Sequence, residues 1–75
     1  MEYTDNFIRL DEVLRITGAK RAAIYKWMRL GTFPKQIPLT SHAVAWRESE
    51  VRAWQKVRIS ERDTKEVSHG HASAA

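Results

Sequence analysis

The chain has 75 residues, a net charge of +4 and no cysteine. So short a chain forms one small core, and the lack of cysteine excludes disulfide bonds and thiolate zinc sites. No apolar run approaches the roughly 20 residues that cross a membrane, so we expect no membrane partner.

The positive charge is concentrated in the middle of the chain. Residues 7–60 carry a net charge of +7, and residues 19–47 contain six cations and no carboxylate. This distribution is typical of a surface that binds a polyanion. A solvated basic face is the alternative, and charge alone does not distinguish DNA from RNA or an anionic membrane.

The first elements predicted are a short extended segment, 7–10, and a helix over residues 10–17. The positions that share one face of this helix are Leu10, Val13, Leu14 and Thr17. They follow the spacing of an amphipathic helix, and Gly18 is suited to end it in the left-handed conformation.

A second helix is predicted over residues 20–30, with its apolar and basic residues on opposite sides. The apolar stripe consists of Ala23, Ile24, Trp27, Met28 and Leu30. The other side presents Arg21, Ala22, Tyr25, Lys26 and Arg29. Gly31 ends the helix, and Pro34 prevents its continuation. Two helices joined by a short turn that contains glycine indicate a helix-turn-helix motif.

After Pro34 the apolar residues alternate, which predicts two short strands, 36–39 and 43–47. They form a hairpin, and Pro38 restricts the first strand to the edge of the sheet. The polar residues of the hairpin tip are Thr40, Ser41 and His42. A two-stranded hairpin is marginal in water, so we expect it to pack on the helices.

A third helix is predicted over residues 48–59, where Val51, Trp54 and Val57 repeat every three residues. From residue 61 onward the chain has one branched aliphatic residue and no aromatic residue. This composition predicts a disordered tail. The expected organisation is therefore an N-terminal arm (1–6), a DNA-binding domain (7–60) and a tail (61–75). The predicted core residues are Leu14, Ile24, Trp27, Trp46, Val51 and Trp54.

The exposed side of the second helix is the predicted DNA-binding site. Arg21 has the forked geometry that recognises guanine, and Ala22 is small enough to approach a thymine methyl group. Lys26 and Arg29 are expected to bind phosphates. Tyr25 is assigned to the base-contacting set with Arg21 and Ala22; alternatively its hydroxyl reaches a phosphate, or its ring packs against the domain.

The hairpin provides a second predicted contact with DNA. The polar tip residues, Thr40 to His42, can bond a phosphate or a sugar, and Arg47 can bind a phosphate. The alternatives are ordinary turn residues and an Arg47 paired with Glu50. No arrangement of residues suggests a catalytic site or a cofactor. The pair His69 and His71 has no neighbouring acid, so we expect no metal site.

Residues 7–59 resemble the AlpA family of phage-derived regulators, in the MerR-like winged helix group that includes the excisionases. The segments that carry the resemblance are Ile8-Arg9-Leu10-x-Glu12-Val13, Thr17-Gly18, Ile24-Tyr25-Lys26-Trp27, Gly31-x-Phe33-Pro34 and Ala43-Val44-Ala45-Trp46-Arg47-Glu48-Ser49-Glu50-Val51-x-Ala53-Trp54. The resemblance implies a mainly helical winged helix-turn-helix fold, with the hairpin as the wing and the second helix in the major groove of double-stranded DNA. The family usually has Ser or Thr where Lys20 stands. Lysine cannot cap a helix through an oxygen, but it can reach a phosphate by charge.

Three functions are consistent with these residues. The resemblance implies a cytoplasmic, nucleoid-associated regulator of prophage transcription that activates integrase or excision genes. It equally allows an excisionase that binds and bends attachment-site DNA. In either case integrase, RNA polymerase or adjacent copies on DNA would be partners. The third function is a protein–protein adaptor with weak DNA binding. We expect no enzymatic activity.

Overall fold

The computed structural model describes residues 5–69, with the side chains of residues 5–64. The elements are β1 (Phe7–Ile8), α1 (Leu10–Thr17), α2 (Arg21–Leu30), β2 (Ile37–Pro38), β3 (Val44–Arg47) and α3 (Glu48–His69). The described part of the chain is thus a small, mainly helical fold with one antiparallel sheet, as the sequence predicted. Residues 1–4 of the predicted arm and residues 70–75 of the predicted tail lie outside the described residues.

Both short helices end at glycines in the left-handed conformation. Gly18 has φ 72° and Gly31 has φ 78°. The N–H of Gly18 donates to the carbonyl of Leu14 (2.8 Å), and the N–H of Gly31 donates to that of Met28 (3.1 Å). A side chain at either glycine would be strained at this φ. The bounds predicted for α1 and the end predicted for α2 are confirmed, and the two glycines account for both C-terminal ends.

The sheet contains one strand more than the predicted hairpin. β3 lies in the middle, with β2 on one side and β1 on the other. The pairing places Phe7 opposite Arg47 and Ile8 opposite Trp46. The expectation of a two-stranded hairpin was therefore incomplete, because the extended segment before α1 satisfies the second edge of β3. Pro38 lies in the edge strand β2, where its missing N–H costs no ladder bond.

The core lies between the sheet and the three helices. Its buried members are Val13, Ile24, Phe33, Trp46 and Val51. Of the residues predicted for the core, Ile24, Trp46 and Val51 are fully buried. Leu14, Trp27 and Trp54 are partly buried and pack against the cluster. Val13 and Phe33 were not in the predicted set. Phe33 lies in the loop after α2, two residues past Gly31, where helical or strand periodicity gives no signal of burial.

α3 is longer than the sequence predicted, because it continues past Ile59 to His69. The residues from 61 onward were expected to be disordered because they lack apolar side chains. That composition does predict their exposure, since every described side chain after Gln55 is exposed, including Val57 at 53%. It does not prevent a helix, since no glycine or proline interrupts residues 48–69. The expectation of a helix end at Ile59 was therefore wrong.

The segment before β1 caps the start of α3. The carboxylate of Asp5 accepts hydrogen bonds from the backbone N–H of Ser49 (3.2 Å) and from its hydroxyl (2.7 Å). The carbonyl of Asn6 accepts the N–H of Glu48 (2.8 Å). β3 leads directly into α3, so there is no loop before the helix to supply a capping residue. A residue more than 40 positions away in sequence serves instead.

Replacing Trp46 tests the core directly. Trp46 is fully buried, and its Nε1 donates to the carbonyl of Pro34 (3.1 Å). We expect Trp46→Ala to lower the free energy of unfolding by about 3–5 kcal/mol, because it leaves a cavity and an unpaired carbonyl. Urea unfolding followed by circular dichroism measures the loss. Leu30→Ala is the control, since Leu30 is 63% exposed. An unchanged urea midpoint for Trp46→Ala would contradict the placement of Trp46 in the core.

Glu48 gives a pH dependence whose sign is fixed by its partners. Hydrogen bonds from Asn6 Nδ2 (2.8 Å) and from Arg52 (3.0 and 3.2 Å) hold the pKa of Glu48 below its ordinary value. A carboxylate with a lowered folded-state pKa stabilises the fold above its unfolded-state pKa and loses this effect as the pH falls through the folded-state pKa. Wild type should therefore melt above Glu48→Gln at neutral pH, and the two should converge in acid. A difference in Tm that does not change with pH would contradict this role.

Candidate DNA-binding surface

The exposed side of α2 gathers the residues that the sequence predicted as DNA contacts. Ile24 is fully buried on the opposite side of the helix, and this fixes which side faces the solvent. Tyr25 is half-buried and the other members are exposed. We call the following set the basic face of α2: Lys20, Arg21, Ala22, Tyr25, Lys26 and Arg29.

Among the residues with described side chains, the cations of the basic face have no carboxylate partner. Within the described part of the chain, no carboxylate oxygen lies within 4.0 Å of their charged nitrogens. Each arginine of α1, β3 and α3, in contrast, has a carboxylate partner. These pairs are Arg15 with Glu12, Arg47 with Asp5 and Glu50, Arg52 with Glu48, Arg58 with Glu61, and Arg62 with Asp63. Among the described residues, α2 is therefore the helix whose arginines have no carboxylate partner, so its positive field is not compensated locally.

The ion pair between Arg15 and Glu12 on α1 shows how a cation outside the basic face is compensated. Arg15 Nε donates to Glu12 Oε1 at 3.0 Å, and a second nitrogen of Arg15 contacts Oε2. The hydrogen bond from Arg15 lowers the pKa of Glu12, and the same bond raises the pKa of Arg15. Both groups therefore stay charged around neutral pH and largely cancel each other's field.

Arg21 and Tyr25 are the two basic-face residues that the structure brings into contact. The guanidinium carbon of Arg21 lies 5.8 Å from the centre of the Tyr25 ring. This distance is within the range of a cation–π interaction. Stacking restricts the rotamers of Arg21 but uses none of its N–H donors. The side chain is thus partly oriented while its hydrogen-bonding edge remains available.

The start of α2 has no side-chain cap. Lys20 adopts an extended conformation (φ −97°, ψ 161°) and makes no capping hydrogen bond, as the sequence predicted for lysine here. Its carbonyl accepts the N–H groups of Ala23 (3.0 Å) and Ile24 (3.1 Å). The first turn contains no acidic residue. The positive end of the helix dipole is therefore not neutralised locally, which favours an external anion.

The hairpin tip is exposed and folded on itself. The N–H of His42 donates to the hydroxyl of Thr40 (3.1 Å), and Ser41 Oγ lies 3.1 Å from His42 Nδ1. The N–H groups of Leu39 and Thr40 both donate to the carbonyl of Ala43, at 2.8 and 3.2 Å. These bonds define an ordered turn. Its polar side chains must exchange local partners if they contact a ligand.

Arg47 has a different environment from the basic face. Its Nε donates to the Asp5 carboxylate at 2.7 Å, and its Nη1 lies 3.6 Å from Glu50 Oε2. The side chain of Asp5 is only 10% exposed. The structure thus realises the alternative of an ion pair with Glu50 and adds a stronger one with Asp5. Sequence reasoning missed Asp5 because the two residues are 42 positions apart.

An aromatic cluster sets the position of α2 against α3. The ring centroids of Trp27 and Trp54 are 5.5 Å apart, and Phe33 lies 5.0 Å from Trp54 and 6.4 Å from Trp27. Trp54 Nε1 also donates to the carbonyl of Thr32 at 2.7 Å. Sequence reasoning placed Trp27 and Trp54 in the core but gave no role to Thr32.

The described residues show neither a cluster of metal ligands nor a membrane-spanning helix. Where side chains are described, no three residues among His, Cys, Asp and Glu come together as metal ligands. His71 lies outside the described residues, and so does the side chain of His69. None of the described helices has the length and apolar character that a membrane span requires.

Comparison with known proteins gives one family and two relatives. The profile of the family described as Prophage CP4-57 regulatory protein (AlpA) matches residues 6–59. Protein ORF88 of Enterobacteria phage P4, described as uncharacterized, is 43% identical over 58 residues, covering 77% of this chain and 66% of that protein. The DNA-binding transcriptional activator AlpA of Escherichia coli (strain K12) is 37% identical over 57 residues, covering 68% of this chain and 81% of that protein. The aligned region thus spans just under two thirds of the phage protein.

Proposed function

This chain belongs to the AlpA family of prophage regulatory proteins, and we propose that it is a DNA-binding regulator of transcription. The observation that supports this most directly is the contrast in charge pairing: the cations of α2 lack carboxylate partners within the described residues, whereas the arginines of the other helices have them. An uncompensated helix face suits a polyanion. A protein–protein adaptor does not require it.

In the proposed complex, α2 lies in the major groove of double-stranded DNA. Its ten residues span about 15 Å, which suits a groove roughly 12 Å wide. Arg21 and Ala22 read base edges near the start of the helix. The Arg21 guanidinium stacks on the ring of Tyr25, which restricts its orientation. Lys20, Lys26 and Arg29 bind phosphates and fix the register of the helix. The uncapped first turn favours a phosphate next to Lys20.

We treat the hairpin of β2 and β3 as the wing of a winged helix-turn-helix, with Thr40, Ser41 and His42 at the backbone or minor groove. Arg47 is a weaker candidate for a phosphate contact, because a phosphate must compete with the Asp5 carboxylate at 2.7 Å. The chemistry of the proposal requires no catalytic group and no cofactor. It implies a cytoplasmic protein near the nucleoid.

Among the regulatory roles, activation of prophage genes such as integrase or excision genes is favoured by the description of the Escherichia coli relative as an activator. Activation implies contact with RNA polymerase or with adjacent copies of the chain on DNA. The second candidate is an excisionase that bends attachment-site DNA beside an integrase. Both depend on the same basic face.

The salt dependence of binding tests the proposal. A duplex selected by the wild-type protein from a random-sequence library is the probe. If Lys20, Lys26 and Arg29 bind phosphates, log Kd should rise linearly with log salt, with a slope that corresponds to about three phosphates, or about four if Arg47 also contributes. Fluorescence anisotropy over a salt series measures this slope. Failure to select or retard any duplex, together with a salt-insensitive protein partner, would favour the adaptor.

Arg21→Ala tests the assignment of base reading. We expect it to lose about 1–3 kcal/mol of discrimination at one base pair of the selected site, because a bidentate contact is removed. Competition with duplexes that carry single substitutions locates that position. Arg52→Ala is the matched control, since Arg52 is an exposed arginine paired with Glu48 on α3. Equal weakening on every sequence would make Arg21 a phosphate contact instead.

A further inference from the structure

A hydrogen bond joins the loop that follows α2 to α3. Trp54 Nε1 donates to the carbonyl of Thr32, and at 2.7 Å this bond is short for an indole donor. The N–H of Thr32 in turn donates to the carbonyl of Trp27, in the last turns of α2, at 2.9 Å. The Trp27 and Trp54 rings lie 5.5 Å apart. The end of α2, the loop after it and α3 are thus each in contact with the other two.

We propose that Trp54 is a positioning residue for DNA recognition, and that its indole N–H fixes the tilt at which α2 presents the basic face. The proposal rests on the function proposed above. It assigns Trp54 no contact with DNA. Its effect passes through Thr32 and Trp27 to the start of the helix, where Arg21 and Ala22 lie.

The geometry of a helix makes this control effective. Trp27 and Arg21 are about 9 Å apart along the axis of α2, so a tilt of about 10° at Trp27 would move Arg21 by roughly 1.5 Å. Recognition sites tolerate errors of only about 0.5 Å in the placement of their side chains. A small loss of restraint at the end of α2 would therefore reduce base reading at its start.

The same bond is not required for the core itself. The fully buried side chains Val13, Ile24, Trp46 and Val51 form the centre of the core. Trp54 is half-buried and Thr32 is exposed. Water can therefore replace the lost donor at the Thr32 carbonyl, so that stability changes little. Water would not hold the loop at a fixed distance from α3.

Two replacements isolate the N–H group. Trp54→Phe keeps an aromatic ring against Trp27 and Phe33. A chemically synthesised chain with benzothienylalanine at position 54 keeps the shape of the indole and replaces N–H by sulfur. The probes are a duplex that the wild type selects and a shuffled duplex of the same composition. Kd is measured for both at a temperature where circular dichroism shows each protein fully folded.

We expect both replacements to lower the ratio of selected to shuffled affinity by about fivefold or more. Affinity for the shuffled duplex and the salt slope should stay at their wild-type values, because the phosphate-binding cations are unchanged. Gln55→Met is the matched control. It removes another bond from α3 to a backbone carbonyl, that of Gln55 Nε2 to Ile16 (3.2 Å), which lies at the end of α1.

Three results would overturn the proposal. A wild-type affinity ratio in both replacements would show that the N–H does not position α2. An equal loss of affinity for both duplexes would indicate general destabilisation. An equal loss of the ratio in Gln55→Met would remove any special role of Trp54. If the wild type itself selects no duplex, the proposed function fails, and this outcome is distinct from the other three.

Discussion

The indole of Trp46 is completely enclosed, and its one polar atom must therefore find a partner inside the protein. That partner is the carbonyl of Pro34, in the loop that follows α2. Trp46 also lies opposite Ile8 in the sheet and stands two residues before α3. One buried side chain thus ties the first strand, the central strand and the loop after α2 together. The helices are arranged around this fixed point.

A second consequence of the fold is the separation of charge. Glu12 on α1 and Glu48 at the start of α3 are engaged by neighbouring arginines, and Asp5 engages Arg47 across the sheet. The segment that forms α2 contains no acid and keeps its cations free of carboxylates within the described region. Membership of the AlpA family and this charge pattern both support the proposal that the chain binds DNA. Among the described residues, the basic face is left without carboxylate partners, which is the property that the proposed DNA-binding function requires.

Local signals allowed much of this structure to be predicted from the sequence. The family resemblance is confirmed, and the C-terminal ends of α1 and α2 followed from the glycines at 18 and 31. Contacts between distant residues were not predictable. β1, the pairing of Asp5 with Arg47 and the bond from Trp54 to Thr32 depend on tertiary structure. The length of α3 was misjudged because a lack of apolar residues predicts exposure rather than loss of helix. The residues proposed to contact DNA remain predictions.

The most direct test of the basic face is an NMR titration of the ¹⁵N-labelled protein with the duplex that it selects. Backbone and side-chain resonances of residues 20–29 should shift or broaden most, followed by those of the hairpin tip. The resonances of Glu12 and Arg15, which form an ion pair on α1, should stay in place. Shifts concentrated on α1 and α3, with the resonances of α2 unchanged, would contradict the central claim that α2 is the surface that binds DNA.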